Sequence, residues 1–142
     1  MSVQIEEMGK KARQAARSLA LLSKDRKNRF LLSLAKALLD RKEEIIRANA
    51  QDIEEGSRAG MSTALIDRLL LNEQRLAGMA SDLQALAAMP DPIGEVIEQK
   101  TLPNGLDARR VRVPLGVLAV IYEARPNVTV DISALGIKSG NA

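Results

Sequence analysis

The sequence predicts an α/β chain with a helical layer over residues 1–94, a β-hairpin over 95–113, and the first strand and helix of a parallel sheet over 114–142. Three observations predict it. Apolar residues recur at three- and four-residue steps through the first 90 positions, which is the helical period. Asn104-Gly105 then separates two short runs rich in Val, Ile and Thr, the signal of a hairpin whose turn residues tolerate positive φ. Finally, Gly116-Val117-Leu118-Ala119-Val120-Ile121 is an unbroken apolar run of strand length, the pattern of a strand covered on both faces.

The elements follow in order. From Val3 to Leu22 the stripe Ile5, Met8, Ala12, Ala15, Leu19 and Leu22 predicts one amphipathic helix. Ser23 is placed to cap a second helix with Phe30, Leu31, Leu34, Leu38, Ile45, Ile46 and Ile53 facing inward, and Asp40 marks a bend or a new start. Gly56 and Gly60 end that region. Ser62 and Asn72 are set to cap two further helices, the second carrying Leu76, Met79, Leu83 and Leu86 and stopped by Pro90 and Pro92. A hairpin with Arg109, Arg110 and Arg112 crowded at one end would gain most by pairing with another sheet, which makes it a candidate assembly element. After the apolar run come Tyr122 to Asn127, then a helical pattern from Val128 to Lys138, with Gly140 suited to its C-terminus. A strand-loop-helix unit of this kind is half of a nucleotide-binding fold and requires a second parallel strand.

Composition excludes several function classes. There is no cysteine and no histidine among the 142 residues, which removes disulfides, thiol nucleophiles, Ser-His triads and the usual zinc ligand sets. No metal site is expected. Phe30 and Tyr122 are the only aromatic residues, so base-stacking platforms are absent too. The 21 basic and 18 acidic residues are mixed along the helices, which reads as a solvated surface and argues against nucleic acid as a partner. The basic stretch Lys24 to Arg29 reads as a solvated helix start ahead of a phosphate-binding patch. No run approaches the roughly 20 apolar residues that span a bilayer, so a cytoplasmic, membrane-independent protein is expected. Neither a G-x-G-x-x-G nor a P-loop fingerprint is present.

The run Val113 to Asp131, with Tyr122-Glu123-Ala124-Arg125-Pro126-Asn127-Val128-Thr129 at its centre, and Lys138-Ser139-Gly140-Asn141-Ala142 after it, closely resembles a signature of gamma-glutamyl phosphate reductases. Arg47 to Asp52, Asp67-Arg68-Leu69 and Asp91-Pro92-Ile93-Gly94 support the same resemblance, in the expected order. It implies membership of the aldehyde dehydrogenase superfamily. Residues 1–94 would then be the helical part of the cofactor domain, 95–113 a hairpin of an oligomerisation element, and 114–142 the start of the NADPH-binding sheet. A catalytic domain bearing a nucleophilic cysteine would lie outside these residues, leaving the chain inactive alone. The implied reaction is NADPH-dependent reduction of L-glutamyl 5-phosphate to L-glutamate 5-semialdehyde in proline biosynthesis, by a homo-oligomer with glutamate 5-kinase as a possible partner. The alternative is a non-catalytic module that pairs with a full-length subunit.

The resemblance also assigns roles. Asn127 falls where related dehydrogenases carry an amide that stabilises an oxyanion, and an uncharged N–H donor suits that task because it does not titrate. Read from the residues alone, Asn127 is a helix cap. Arg125 offers a planar fork for the glutamyl phosphate or an NADPH phosphate, although a surface ion pair is an equally simple use. Pro126 restricts the backbone around it. Tyr122, Glu123 and Ala124 would line the nicotinamide-ribose side, just past the carboxyl end of the strand.

Overall fold

The computed structural model describes residues 2–123 and 125–142, and of residues 2 and 3 only the backbone. Six helices and one hairpin follow one another: α1 (Ser2–Leu19), α2 (Lys24–Asp40), α3 (Lys42–Arg58), α4 (Thr63–Leu69), α5 (Glu73–Ala88), β1 (Val96–Thr101), β2 (Asp107–Val111) and α6 (Pro126–Lys138). The caps fall where short polar side chains can accept from an orphan helix N–H. Ser23 accepts from Arg26 N, Ser62 from Leu65 N, and Asn72 from Arg75 N. The chain breaks at Arg41, next to Asp40, and α5 stops two residues before Pro90. At the far end Gly140 adopts φ 71°, and Asn141 N donates to Gly136 O across it, closing α6 with a Schellman turn.

The centre of the packing is α2 against α5, with α6 laid on both and the α3–α4 pair at the other side. Leu31, Ala35 and Leu38 of α2 meet Leu76, Met79, Ala80, Leu83 and Ala87 of α5, and Ala134 brings α6 into the same cluster. Small residues at Ala35, Ala80, Ala87 and Ala134 let the helices approach closely. Phe30 lies on the solvent side of this cluster, 44% exposed, and not inward as its position in the apolar series predicted. Its neighbour Leu31 takes the core position. In α1 the stripe is mostly uncovered too: Ile5 and Met8 are exposed and Ala16 is the buried side chain among those described.

Two lysines are buried, against expectation. Lys27 sits in the middle of the basic stretch that reads as solvated, yet only 1% of it is exposed. Its ammonium pairs with both carboxylate oxygens of Asp91, at 2.8 and 2.5 Å, and donates to Lys138 O at 3.3 Å. Lys138, equally hidden, donates to Asn28 Oδ1 at 2.8 Å and to the carbonyls of Ala87 and Met89 at 3.1 and 2.8 Å. Those carbonyls belong to the C-terminal end of α5, where a cation complements the helix dipole. Burial opposes the charge of Asp91, but the hydrogen bonds from Lys27 and from Ile93 N, with the field of both lysines, outweigh it and hold the carboxyl below its ordinary value. Burial lowers the pKa of Lys138, the pull of Asp91 only partly offsetting it. The network ties the ends of α2, α5 and α6 together and so fixes where α6 lies.

A second buried polar group does the same for α4 and α5. Asn49 of α3 donates to Leu69 O at 2.8 Å and accepts from Leu71 N at 2.7 Å, using both ends of its amide on the connection between those helices. Among the described residues no buried side-chain nitrogen or oxygen is left without a partner.

The hairpin pairs β1 with β2 antiparallel, Thr101 opposite Asp107 and Val96 opposite Val111, with an irregularity between Val96 and Glu98. Its turn falls at Asn104-Gly105, as the sequence predicts, with Pro103 ahead of them. Leu102 N donates to Leu106 O and Gly105 N to Leu102 O, so Pro103, Asn104 and Gly105 form a three-residue loop. Gly105 takes the left-handed position at φ 83°, and Pro103 pre-sets the first turn residue. Every residue of the two strands is exposed except Ala108, which is half-buried.

The apolar run does not form the buried strand its composition predicts. Among the described residues no ladder forms within Gly116–Ile121; Val117, Leu118 and Val120 are exposed, and Ile121 is 99% exposed. What it does form is the beginning of a parallel pairing: Ala142 N donates to Gly116 O at 2.9 Å and Leu118 N to Ala142 O at 2.7 Å. Asn141 reinforces that contact by accepting from Gly116 N at 2.8 Å. The apolar side chains stay exposed because the residues described here supply helices to neither face along most of the run.

Candidate functional site

The loop leaving Ile121 enters α6 at its N-terminus, and this junction collects the residues singled out by the sequence. Arg125 stands at the N-cap with φ −137° and ψ 86°, makes no side-chain cap hydrogen bond, and is exposed. Pro126 occupies the first helical position, where its missing N–H costs nothing and its fixed φ suits the helix. Val128 N donates to Arg125 O at 3.0 Å and closes the first turn.

Asn127 therefore lies inside the helix and does not cap it, which corrects the residue-level reading. Its half-buried amide Nδ2 donates to Asp131 Oδ2 at 3.1 Å, one helical turn on. An amide has two N–H donors, so one remains for another acceptor while the carboxylate fixes which end of the amide is which. Tyr122 Oη shares a 2.7 Å hydrogen bond with Thr129 Oγ1, which straps the loop to the first turn of α6. Glu123 is exposed, and Ala124 lies outside the described residues. Asp131 has no role assigned by the sequence motif; its four-residue spacing from Asn127 is the signal that links the two.

Beside this junction is a cavity of about 380 Å³, bounded by the α4–α5 connection, one face of α5 and the start of α6. Arg125, Pro126 and Asn127 line it together with Arg68, Asp67, Arg75 and Asp82. Arg75 is committed to the wall: it pairs with Asp67 Oδ1 at 2.9 Å and donates to Leu70 O at 2.7 Å and to Asp67 O. Among the described residues no group of three or more His, Cys, Asp or Glu is placed to hold a metal ion, and no helix is long and apolar enough to cross a membrane.

A loop gathered at the carboxyl end of an extended apolar segment that starts a parallel pairing, followed at once by a helix, is the ligand-site arrangement of open α/β enzymes. Comparison with known proteins makes the assignment particular. No family model matches the chain. Gamma-glutamyl phosphate reductase of Moorella thermoacetica is 54% identical over 142 residues, covering all of this chain and 34% of the relative. That of Heliobacterium modesticaldum is 56% identical over 134 residues, covering 94% and 32%. Crystal structures of the enzymes from Thermotoga maritima and Saccharomyces cerevisiae superpose with TM-scores of 0.92, at 40% and 34% identity, over 96% of this chain and 33% and 35% of theirs. In sequence and in fold the chain corresponds to the N-terminal part of gamma-glutamyl phosphate reductases, which are oxidoreductases, and it spans about a third of their length.

Proposed function

We propose that this chain is the cofactor-side portion of an NADPH-dependent reductase of L-glutamyl 5-phosphate, acting in proline biosynthesis, and that Asn127 is its oxyanion donor. The observation that carries the reading is the position of Asn127: in the first turn of α6, half-buried, on the wall of the cavity, with its amide oriented by Asp131. Donors held in place before the reaction stabilise charge as it develops, without reorganising at that moment.

The residues present suit the start of a cofactor site. Tyr122 is anchored to α6 through Thr129, Glu123 offers a carboxylate of the kind that receives ribose hydroxyls, and Arg125, which has no ion-pair partner among the described residues, stands at the N-cap of α6, where a phosphate group would be welcomed. Bound NADPH would supply the hydride. Arg125 would hold an anionic group, Pro126 would keep the loop in one shape, and the free N–H of Asn127 would meet the carbonyl oxygen of the reacting acyl group. The chain has no cysteine, so the thiolate nucleophile must come from outside these residues. The product of a glutamate 5-kinase would be the substrate, and the whole enzyme would be a cytoplasmic homo-oligomer. An assembly role for the hairpin fits within this reading, since its ribbon is exposed on both faces.

The test is a chimera. This chain is joined to the remaining two-thirds of the Moorella thermoacetica enzyme and assayed for NADP-dependent, phosphate-dependent oxidation of glutamate 5-semialdehyde. Turnover with the chimera, and none with the remainder alone, is expected. A folded chimera without turnover would refute the reading and favour a non-catalytic pairing module.

A further inference from the structure

Resting on the reading above, we propose that the cavity beside Asn127 receives the α-amino-acid end of the substrate, with Asp82 taking the ammonium and Arg68 the carboxylate. The helical repeat places Arg75, Gly78, Met79 and Asp82 along the one face of α5 that lines this cavity. Arg75 is used up in the wall, but Arg68 and Asp82 have no ion-pair partner among the described residues. Unpaired charges of both signs therefore face a single cavity, the complement of a zwitterion. Asp82 also lines a second cavity, of about 310 Å³, together with Asp131.

Gly78 points the same way independently. It lies in the interior of α5, where glycine weakens a helix relative to alanine. Nothing in the fold requires it there, because a Cβ at Gly78 would meet no atom within 4 Å. What such a Cβ would enter is the cavity, which Gly78 lines. Its absence leaves room for a ligand at a cost to the helix. Arg125 and the proposed oxyanion donor Asn127 line the same cavity as Arg68 and Asp82.

The experiment is an NMR titration of this chain with L-glutamate, glutarate and 4-aminobutanoate, the last two each lacking one of the recognised groups. L-glutamate is expected to shift the amides of residues 68, 78 and 82 with an affinity about tenfold or more above either control, as charged hydrogen bonds predict. Asp82→Asn should lower the glutamate affinity to that of glutarate without weakening glutarate binding. Gly78→Ala should raise the melting temperature and weaken glutamate binding together, a pair of effects that a merely structural glycine would not give. Equal response to all three ligands, or no response at these residues, overturns the proposal. A chimera that turns over while glutamate ignores the cavity refutes this site alone; bound glutamate with an inert chimera refutes the catalytic reading and leaves the site standing.

Discussion

Replacing Asp91 with asparagine removes the carboxylate that pairs with a buried lysine while keeping nearly the same shape. Lys27 is 1% exposed and its ammonium is held by the two oxygens of Asp91, whose side chain is itself only 14% exposed. In the variant an amide replaces the carboxylate and Lys27 and Lys138 face each other's charge with no anion between them. Breaking one partner of a buried pair costs about 3–5 kcal/mol, because the survivor stays buried and uncompensated. That is a large share of the roughly 5–15 kcal/mol that keeps a domain folded. Urea denaturation followed by circular dichroism at neutral pH measures it directly. The pH dependence gives a second check. Because the folded state holds the carboxyl of Asp91 below its ordinary value of 3.8, its stabilisation is fully present above that value and is lost as pH falls through the lower, folded one. The native chain should therefore lose stability in acid more steeply than Asp91→Asn. A cost under about 1 kcal/mol, the range of an exposed ion pair, with parallel acid profiles would refute the claim that this pair is buried and holds α6 in place.

Two other predictions concern the polar groups that shape the fold. Asn49→Ala should cost about 2 kcal/mol or more, since Leu71 N and Leu69 O lose their partners in a buried place, and the loss is read from the same urea curves. Gly105→Ala, at φ 83° in an exposed ribbon, should cost about 1 kcal/mol locally, speeding hydrogen exchange in β1 and β2 without moving the helical transition.

The parts of the fold that are legible in the sequence are those decided by near neighbours. Ser23, Ser62 and Asn72 cap helices because the groups they satisfy lie three residues away, and Gly140 turns the chain because its own backbone must. The hairpin is legible for the same reason, its loop made of Pro103, Asn104 and Gly105. Partners far apart in sequence are another matter. Lys27 meets Asp91 across 64 positions and the backbone of Lys138 across 111, and its charged neighbours make it look solvated. Val117 to Ile121 has the composition of a buried strand, but burial depends on what else covers it. At the site, the six residues from Tyr122 to Asn127 stand out as a block, whereas Arg68 and Asp82 are ordinary surface charges until α4, α5 and α6 bring them beside Asn127.

The role of Asn127 is tested most directly by the rate of Asn127→Ala in the chimera with the Moorella thermoacetica remainder. Loss of one oxyanion donor predicts a fall in kcat of about a hundredfold to a thousandfold with KM little changed. An unchanged kcat in a folded variant would contradict the account and leave Asn127 as a residue that merely pairs with Asp131.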